Sequence, residues 1–171
     1  MTDAFVIEPL GAQDRSAFSS GAASLDRYLR EQASQDVRRL VASCFVAVGA
    51  GMDTIAGYYT LAATSVRADD LPGDVIGRLP RYPHLPAALV GRLAVDRRFQ
   101  RQGLGSALLA DAALRVLNGD LKAVALIVEA KDENALGFYR RQGFQPFAGH
   151  PLTLFLPFAT LKKAAARSGR Q

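Results

Sequence analysis

The sequence predicts an α+β or α/β domain built on one mixed sheet, and three observations carry that prediction. Hydrophobic residues make up 49% of a 171-residue chain, enough for a real core within the usual length of one domain. In the first half, two compact apolar runs flank the turn GAGMD, the pattern of a hairpin. In the second half, apolar runs of strand length alternate with runs of helical spacing.

The elements follow in order. Ser24–Val37 reads as a helix, with Ser24 as N-cap and Leu25, Tyr28, Leu29 and Ala33 on one face. Val41–Val48 is a compact apolar strand, and Ile55–Leu61 (IAGYYTL) is its hairpin partner. Residues 66–87 contain four of the eight prolines and read as a long loop, a kind of segment that is often functional. Ala88–Val95 is a strand and Gly105–Leu117 a strongly apolar helix. Ala123–Ala130 (AVALIVEA) is a strand of the buried type. Asp132–Gln142 is a short helix capped by Asp132 and ended by Gly143. Leu152–Leu156 closes the sheet. One domain, 1–161, is expected, followed by a basic, solvated tail over 162–171 (KKAAARSGRQ).

Composition narrows the function classes. No apolar run reaches the roughly 18 residues of a membrane span. The opening MTDAFVIEPLGAQDR is acidic and has no signal-peptide core. The single cysteine, Cys44, excludes an internal disulfide and a cysteine-rich zinc site, no metal is expected, and in VASCFVAV it reads as a buried thiol. These features point to the cytoplasm. The charge is +5, from 21 Lys+Arg against 16 Asp+Glu, with a pI near 9.7, a modest bias toward polyanionic partners.

The stretch RRFQRQGLGSALL, residues 97–109, carries the chemistry. It joins the end of a strand at Val95 to a helix beginning near Gly105. Glycine permits a tight turn and a close backbone approach to a ligand. The first N–H groups of a helix lack partners and sit at the positive end of its dipole. Strand, glycine turn and helix N-terminus together suit a pyrophosphate, with Arg97, Arg98 and Arg101 adding charge. The stretch is neither a dinucleotide fingerprint, which needs a third glycine and an acidic residue about twenty positions on, nor a Walker loop, which ends in Gly-Lys-Ser/Thr.

RLAVD followed by Q-x-x-G-x-G and an apolar helix resembles the acyl-CoA signature of the GNAT superfamily of N-acetyltransferases. VEAKDENALGFYRRQGF, at the expected separation, resembles that family's second cofactor helix with its A-x-x-F-Y-x-x-x-G-F ending. FSSGAASLDRYLREQASQD, FVAV, GYYTLAATSV and LPRYPHLPAALVGRLAVD extend the likeness, from about Phe18 to Leu156, to the acetyltransferase toxins of bacterial type II toxin–antitoxin operons, the group that contains TacT and AtaT.

The resemblance implies a GNAT fold: a single mixed, mostly antiparallel sheet flanked by helices, with a central acetyl-CoA cleft. It implies that acetyl-CoA is the donor, its pyrophosphate on Gln100, Arg101, Gln102, Gly103, Leu104, Gly105 and Ser106, its pantetheine arm along Leu93, Ala94 and Val95, with Asn134 and Phe138 also touching it. It implies Tyr139 as the acid that protonates the leaving sulfur. A phenol of pKa about 10 suits a thiolate whose conjugate acid lies near 8.5. The acceptor would be the α-amine of aminoacyl-tRNA. Dimerisation, neutralisation by a ribbon–helix–helix antitoxin, and operator DNA contact through the antitoxin complex alone follow from the same likeness.

No Asp, Glu or His is demanded as a base. Glu129 is the nearest carboxylate, and His84 and His150 read as loop histidines. An α-amine has pKa about 8, whereas neutralising a lysine near 10.4 costs roughly 4 kcal/mol or more, so an α-amine needs little help. Arg38, Arg39, Arg78, Arg81, Arg92 and Arg140 are the candidate phosphate contacts of a tRNA, with Tyr82 for stacking. Two other readings stay open on the residues alone: an acetyltransferase acting on a protein N-terminus, polyamine or other small amine, and a CoA-bound, non-enzymatic co-regulator of its operon.

Overall fold

The computed structural model describes residues 4–77 and 79–162. The strands are β1 (Phe5–Pro9), β2 (Ser43–Gly49), β3 (Ile55–Arg67), β4 (His84–Val95), β5 (Ala125–Glu129), β6 (Gln145–Phe147) and β7 (His150–Pro157). The helices are α1 (Ala23–Glu31), α2 (Ala33–Arg38), α3 (Gly73–Ile76), α4 (Leu104–Asn118) and α5 (Glu133–Arg141), with 3-10 turns at Ala68–Asp70 and Arg97–Phe99. The seven strands form one sheet in the order β1-β2-β3-β4-β5-β7-β6, so the expected mixed α/β architecture is present. β1 with β2, β2 with β3, β5 with β7 and β6 with β7 run antiparallel.

The chain divides into two compact units. The first comprises residues 1–62 and 90–114. Its core gathers Phe18, Tyr28, Leu29, Ala33, Val46, Ile55, Tyr58 and Ala94. Leu29, Val46 and Ile55 are wholly buried, and the Tyr58 hydroxyl keeps its polar end satisfied by donating to the Leu25 carbonyl at 2.6 Å. The second comprises residues 63–89 and 115–171, with Val66, Leu71, Leu85, Ala87, Ala125, Ile127, Phe147 and Phe155 at its centre.

Several elements differ from the sequence reading, each for a physical reason. The helix expected over 24–37 is broken at Gln32, whose backbone (φ −120°, ψ −32°) leaves the helical region. Arg15 reaches across the break and donates to the Leu29 carbonyl and to Ser34 Oγ, both at 3.0 Å, a contact from outside the helix. Ser24 lies inside α1 rather than capping it; Ala22 is the cap residue and supplies no side-chain bond. Ser20 and Asp26 do the equivalent work upstream: Ser20 Oγ donates to Asp26 at 2.6 Å and accepts from the Ala22 amide at 3.2 Å. β3 runs six residues beyond Leu61, and β4 begins at His84, so the expected 66–87 loop shrinks and holds a 3-10 turn and α3. β1 and the three-residue β6 were not foreseen; each contains a proline, tolerated at a sheet edge. Arg78 and all of the 162–171 tail except Lys162 lie outside the described residues.

Candidate functional site

The start of α4 is built from behind. β4 ends at Val95, and Asp96, only 1% exposed, follows. Its carboxylate accepts from the Ser19 amide (3.0 Å), the Arg98 amide (2.9 Å), Arg98 Nε (2.9 Å) and Arg98 Nη2 (3.2 Å). The Asp96 and Arg97 amides in turn donate to the carbonyls of Ala56 and Ser19, each at 2.8 Å. Burial alone would raise this carboxyl, but the hydrogen bonds from Arg98 and Ser19 outweigh it and hold the pKa below the usual carboxylate value. Gln100 closes the next step, its side-chain amide donating to the carbonyls of Ser20 and Val95, both at 2.9 Å.

After this clamp the backbone turns through two left-handed positions, Arg101 (φ +64°) and Gly103 (φ +82°). Gly103 stands immediately before α4 and has no side chain to cap it, and a Cβ placed there would meet nothing within 4 Å. The Gly103 carbonyl accepts the Ala107 amide at 3.0 Å, which leaves the amides of residues 104–106 without intrahelical acceptors. Arg101, Gln102 and Gly103 are exposed, Gly105 and Ser106 half-buried. Leu104 is buried and anchors the turn against Gly57, where a Cβ would lie 3.1 Å from the Ala94 carbonyl, 3.1 Å from Leu108 and 3.3 Å from Leu104. An anchored, exposed helix start whose first amides lack intrahelical acceptors, with Arg101 in the turn before it, fits a diphosphate, whereas the Arg98 guanidinium is held by Asp96 and the Arg97 guanidinium lies against Gly21. On β4, Ala94 is buried and Leu93 and Val95 are half-buried.

Tyr139 sits in the second unit, on α5, with 5% of its surface exposed. The Phe138 and Phe144 rings lie 5.3 and 5.7 Å from its own. Burial, the sole cause, pushes its phenol up to about 12. α5 is closed at its start by Asp132, which accepts the Ala135 amide at 2.8 Å, and is followed by Gly143 at φ +100°. Both features were legible in the sequence. Asn134 is exposed in the first turn and Phe138 is half-buried.

The basic candidates fall into different settings. Arg38 and Arg39, at the end of α2, are exposed, as are Arg81 and Arg140. Arg92 is half-buried, its guanidinium 3.7 Å over the Tyr28 ring, whose hydroxyl donates to Asp36 at 2.7 Å. That cation–π stack ties Arg92 into the fold. Tyr82 is 62% exposed. Cys44 is buried and its thiol is pushed up to about 12 by that burial, the behaviour of a packing residue. Among the described residues no cluster of His, Cys, Asp and Glu is placed to hold a metal ion. Sequence reasoning missed Asp96 and Gly57. The one signal for Gly57 was a glycine inside a strand, the mark of close backbone approach.

A family model of the acetyltransferase (GNAT) domain matches residues 42–146, a span that includes the 100–106 turn and Tyr139. The chain belongs to the GNAT acetyltransferase family. A tRNA-acetylating toxin of Mycobacterium tuberculosis is 39% identical over 147 residues, 85% of this chain and 86% of that protein. Among solved structures, AtaT complexed with acetyl-methionyl-tRNAfMet matches with a TM-score of 0.86 at 28% identity, covering 94% of this chain and 99% of that one. A Tyr-to-Phe mutant of the AtaT toxin, bound to the C-terminus of the antitoxin AtaR and to acetyl-CoA, matches with a TM-score of 0.76 at 25% identity over 94% and 97% of the two chains.

Proposed function

We propose that this protein is an acetyl-CoA-dependent N-acetyltransferase toxin that acetylates the α-amino group of aminoacyl-tRNA and so blocks translation. The observation that carries the tRNA reading is the long match to a tRNA-acetylating toxin. The anion-ready start of α4 is what fits the donor to this chain. Amides at Gln102–Ser106 would hold the diphosphate, with Arg101 beside them and with Asp96 and Gln100 fixing the turn. Leu93, Ala94 and Val95 offer a strand backbone suited to the amide-rich arm.

Acetyl-CoA supplies an activated acetyl group. Transfer forms an amide bond to the acceptor nitrogen and breaks the carbon–sulfur bond; the nitrogen loses a proton and the sulfur gains one. Tyr139 is the residue assigned to that sulfur. A phenol held near 12 is protonated at every working pH, so the donor is always loaded. Burial makes the transfer to a thiolate in water, whose conjugate acid lies near 8.5, more uphill than it is for an ordinary phenol. A thiolate leaving into the same desolvated surroundings would be disfavoured as well, so the proton would move as the sulfur charge develops. Arg38, Arg39, Arg81 and Arg140, all exposed, are the side chains assigned to tRNA phosphates. A homodimer, neutralised by a ribbon–helix–helix antitoxin that carries the complex to operator DNA, completes the reading.

The test is incubation of purified protein with radiolabelled acetyl-CoA and total charged tRNA. Label on the α-amine of an aminoacyl group, and a block of cell-free translation that requires acetyl-CoA and is lost in Tyr139→Phe, are expected. Turnover of small amines with no label on charged tRNA would sink the tRNA assignment.

A further inference from the structure

The second unit contains a cleft of about 290 Å³ that neither the α4 start nor Tyr139 lines. Its floor follows from strand register. Ile127 on β5 pairs with Phe155 on β7, and Glu129 pairs with Thr153, so by alternation all four share one face of the sheet. Ile127, with Val66 from β3 and Phe147 from β6, is buried in the core of this unit, and Leu89 packs against the same cluster. The cleft therefore has an apolar floor. At about 290 Å³ it stands at the lower limit of ligand pockets, which suits a small group.

The rim is polar and carries two carboxylates, Glu129 and Asp70. Neither has a hydrogen-bond or ion-pair partner among the described residues; Arg67 also lines the cleft, and its guanidinium is paired at 3.8 Å with Asp69, which does not line it. His150 is the remaining titratable group on the lining. Glu129 closes β5, and α5, which carries Tyr139, starts four residues later at Glu133.

We propose that this cleft receives the acceptor. The side chain of the aminoacyl group lies on Val66, Leu89, Ile127 and Phe147, and its ammonium docks facing Glu129 and Asp70, then passes one proton to solvent so that the neutral amine attacks; the second proton goes to the sulfur as above. The inference rests on the aminoacyl reading above and adds two specificities to it. The floor selects an uncharged, apolar side chain, because burying a charge there without a partner is unfavourable. The rim selects an amino acid whose carboxyl is esterified: a free amino acid brings its own carboxylate against Glu129 and Asp70, whereas an ester brings only the cation. Acetylation removes that cation, so the product amide loses its hold on the same carboxylates and leaves.

Full-length protein is assayed for kcat/KM with charged tRNA, with methyl esters of apolar amino acids, and with the free amino acids, alongside binding of acetyl-CoA. Wild type is expected to prefer the esters strongly over the free acids. Glu129→Gln is expected to lose on the order of tenfold to a hundredfold in kcat/KM on the esters, to narrow the ester-to-acid ratio, and to bind acetyl-CoA as wild type does. Thr153→Phe, which fills the cleft, is expected to shift the labelled amino acids on charged tRNA toward smaller side chains. An unchanged ratio in Glu129→Gln together with an unchanged acceptor profile in Thr153→Phe overturns the cleft assignment while leaving the tRNA reading intact. Turnover of esters but not of charged tRNA, with the Glu129→Gln effect present, sinks the tRNA reading and keeps the cleft; no turnover of any acceptor sinks both. If Thr153→Phe fails to fold in a thermal melt, the exposed Glu129→Gln decides alone.

Discussion

The two helices that carry the proposed chemistry begin in opposite ways. α5 is closed by its own sequence: Asp132 folds back and takes the Ala135 amide at 2.8 Å. α4 has Gly103 at that position, which has no side chain to cap it. It is held from outside instead, by Asp96 gripping Ser19 and Arg98 and by Gln100 gripping Ser20 and Val95. A helix start that is rigid and yet uncapped keeps its amides for something other than the protein. A helix start that is capped has an amide fewer to offer an anion, and the main role assigned to α5 is to present Tyr139, with Asn134 and Phe138 as lesser donor contacts. The comparison separates donor binding from proton donation, and mutations can test that separation.

The largest effect is expected at Tyr139. Tyr139→Phe keeps the ring between Phe138 and Phe144 and removes only the hydroxyl. A loss of about 10²–10⁴ in kcat is expected, with acetyl-CoA affinity unchanged by calorimetry. If affinity falls in parallel, α5 binds donor and the separation fails. The pH profile sharpens the test. The competent form is protonated and burial raises the pKa, so wild-type kcat/KM should show no alkaline fall with a pKa near 10; the phenol begins to ionise only as pH approaches about 12. An alkaline limb near 10 that vanishes in Tyr139→Phe would show a solvated phenol.

Gly103→Glu attacks the other helix. It forces a side chain onto φ +82°, a strain of roughly 1–2 kcal/mol, and sets a negative charge among the amides assigned to the diphosphate. Acetyl-CoA affinity is expected to fall on the order of a hundredfold. Gly103→Ala isolates the strain, since a Cβ there meets nothing within 4 Å, and is expected to lose much less. Equal losses in the two variants would mean that the glycine serves the turn and not the ligand.

Asp96→Asn tests whether the clamp and the binding surface are coupled. Four N–H donors converge on two carboxylate oxygens, and an amide offers only one. A loss of about 1–3 kcal/mol is expected, seen as a lower Tm, together with weaker acetyl-CoA binding. The sign in pH follows from the depressed pKa: the wild-type contribution is present above the unfolded value near 3.9 and is lost as pH falls through the lower folded value. The stability difference between wild type and Asp96→Asn should therefore narrow below about pH 4. A constant difference would mean that the bonds, and not the charge, hold the turn.

What was readable in advance divides along the same line. The α5 cap, its terminal glycine and the Q-x-x-G-x-G turn are local, each decided by residues within a few positions, and the sequence placed them correctly. The clamp behind α4 joins Asp96 to Ser19, 77 residues apart, and no local pattern announces it. The break at Gln32 depends on Arg15 in the same way. The cleft draws on β3, β4, β5, β6 and β7 at once, and Glu129 could be named as a nearby carboxylate but not placed beside Ile127 and Phe147 before the strand register was known. Asp70 and Thr153 carried no signal of their own, because a rim residue is defined by its neighbours across the sheet.

The smallest effect belongs to the local cap. Asp132→Ala removes one hydrogen bond that α5 makes to itself, and about 1 kcal/mol of stability should go with it, a Tm change of roughly 2–4 °C. Acetyl-CoA affinity should hardly move, because the diphosphate is assigned to the start of α4 and not to α5. kcat should change only slightly: Tyr139 lies two turns along, and its ring is fixed by Phe138 and Phe144 rather than by the cap. The contrast with Asp96→Asn then becomes the measurement of interest. Both changes remove an aspartate that accepts backbone amides near a helix start, yet only one sits behind an open N-terminus. If both weaken the donor alike, the capped helix is also a ligand site and the distinction between the two starts is lost.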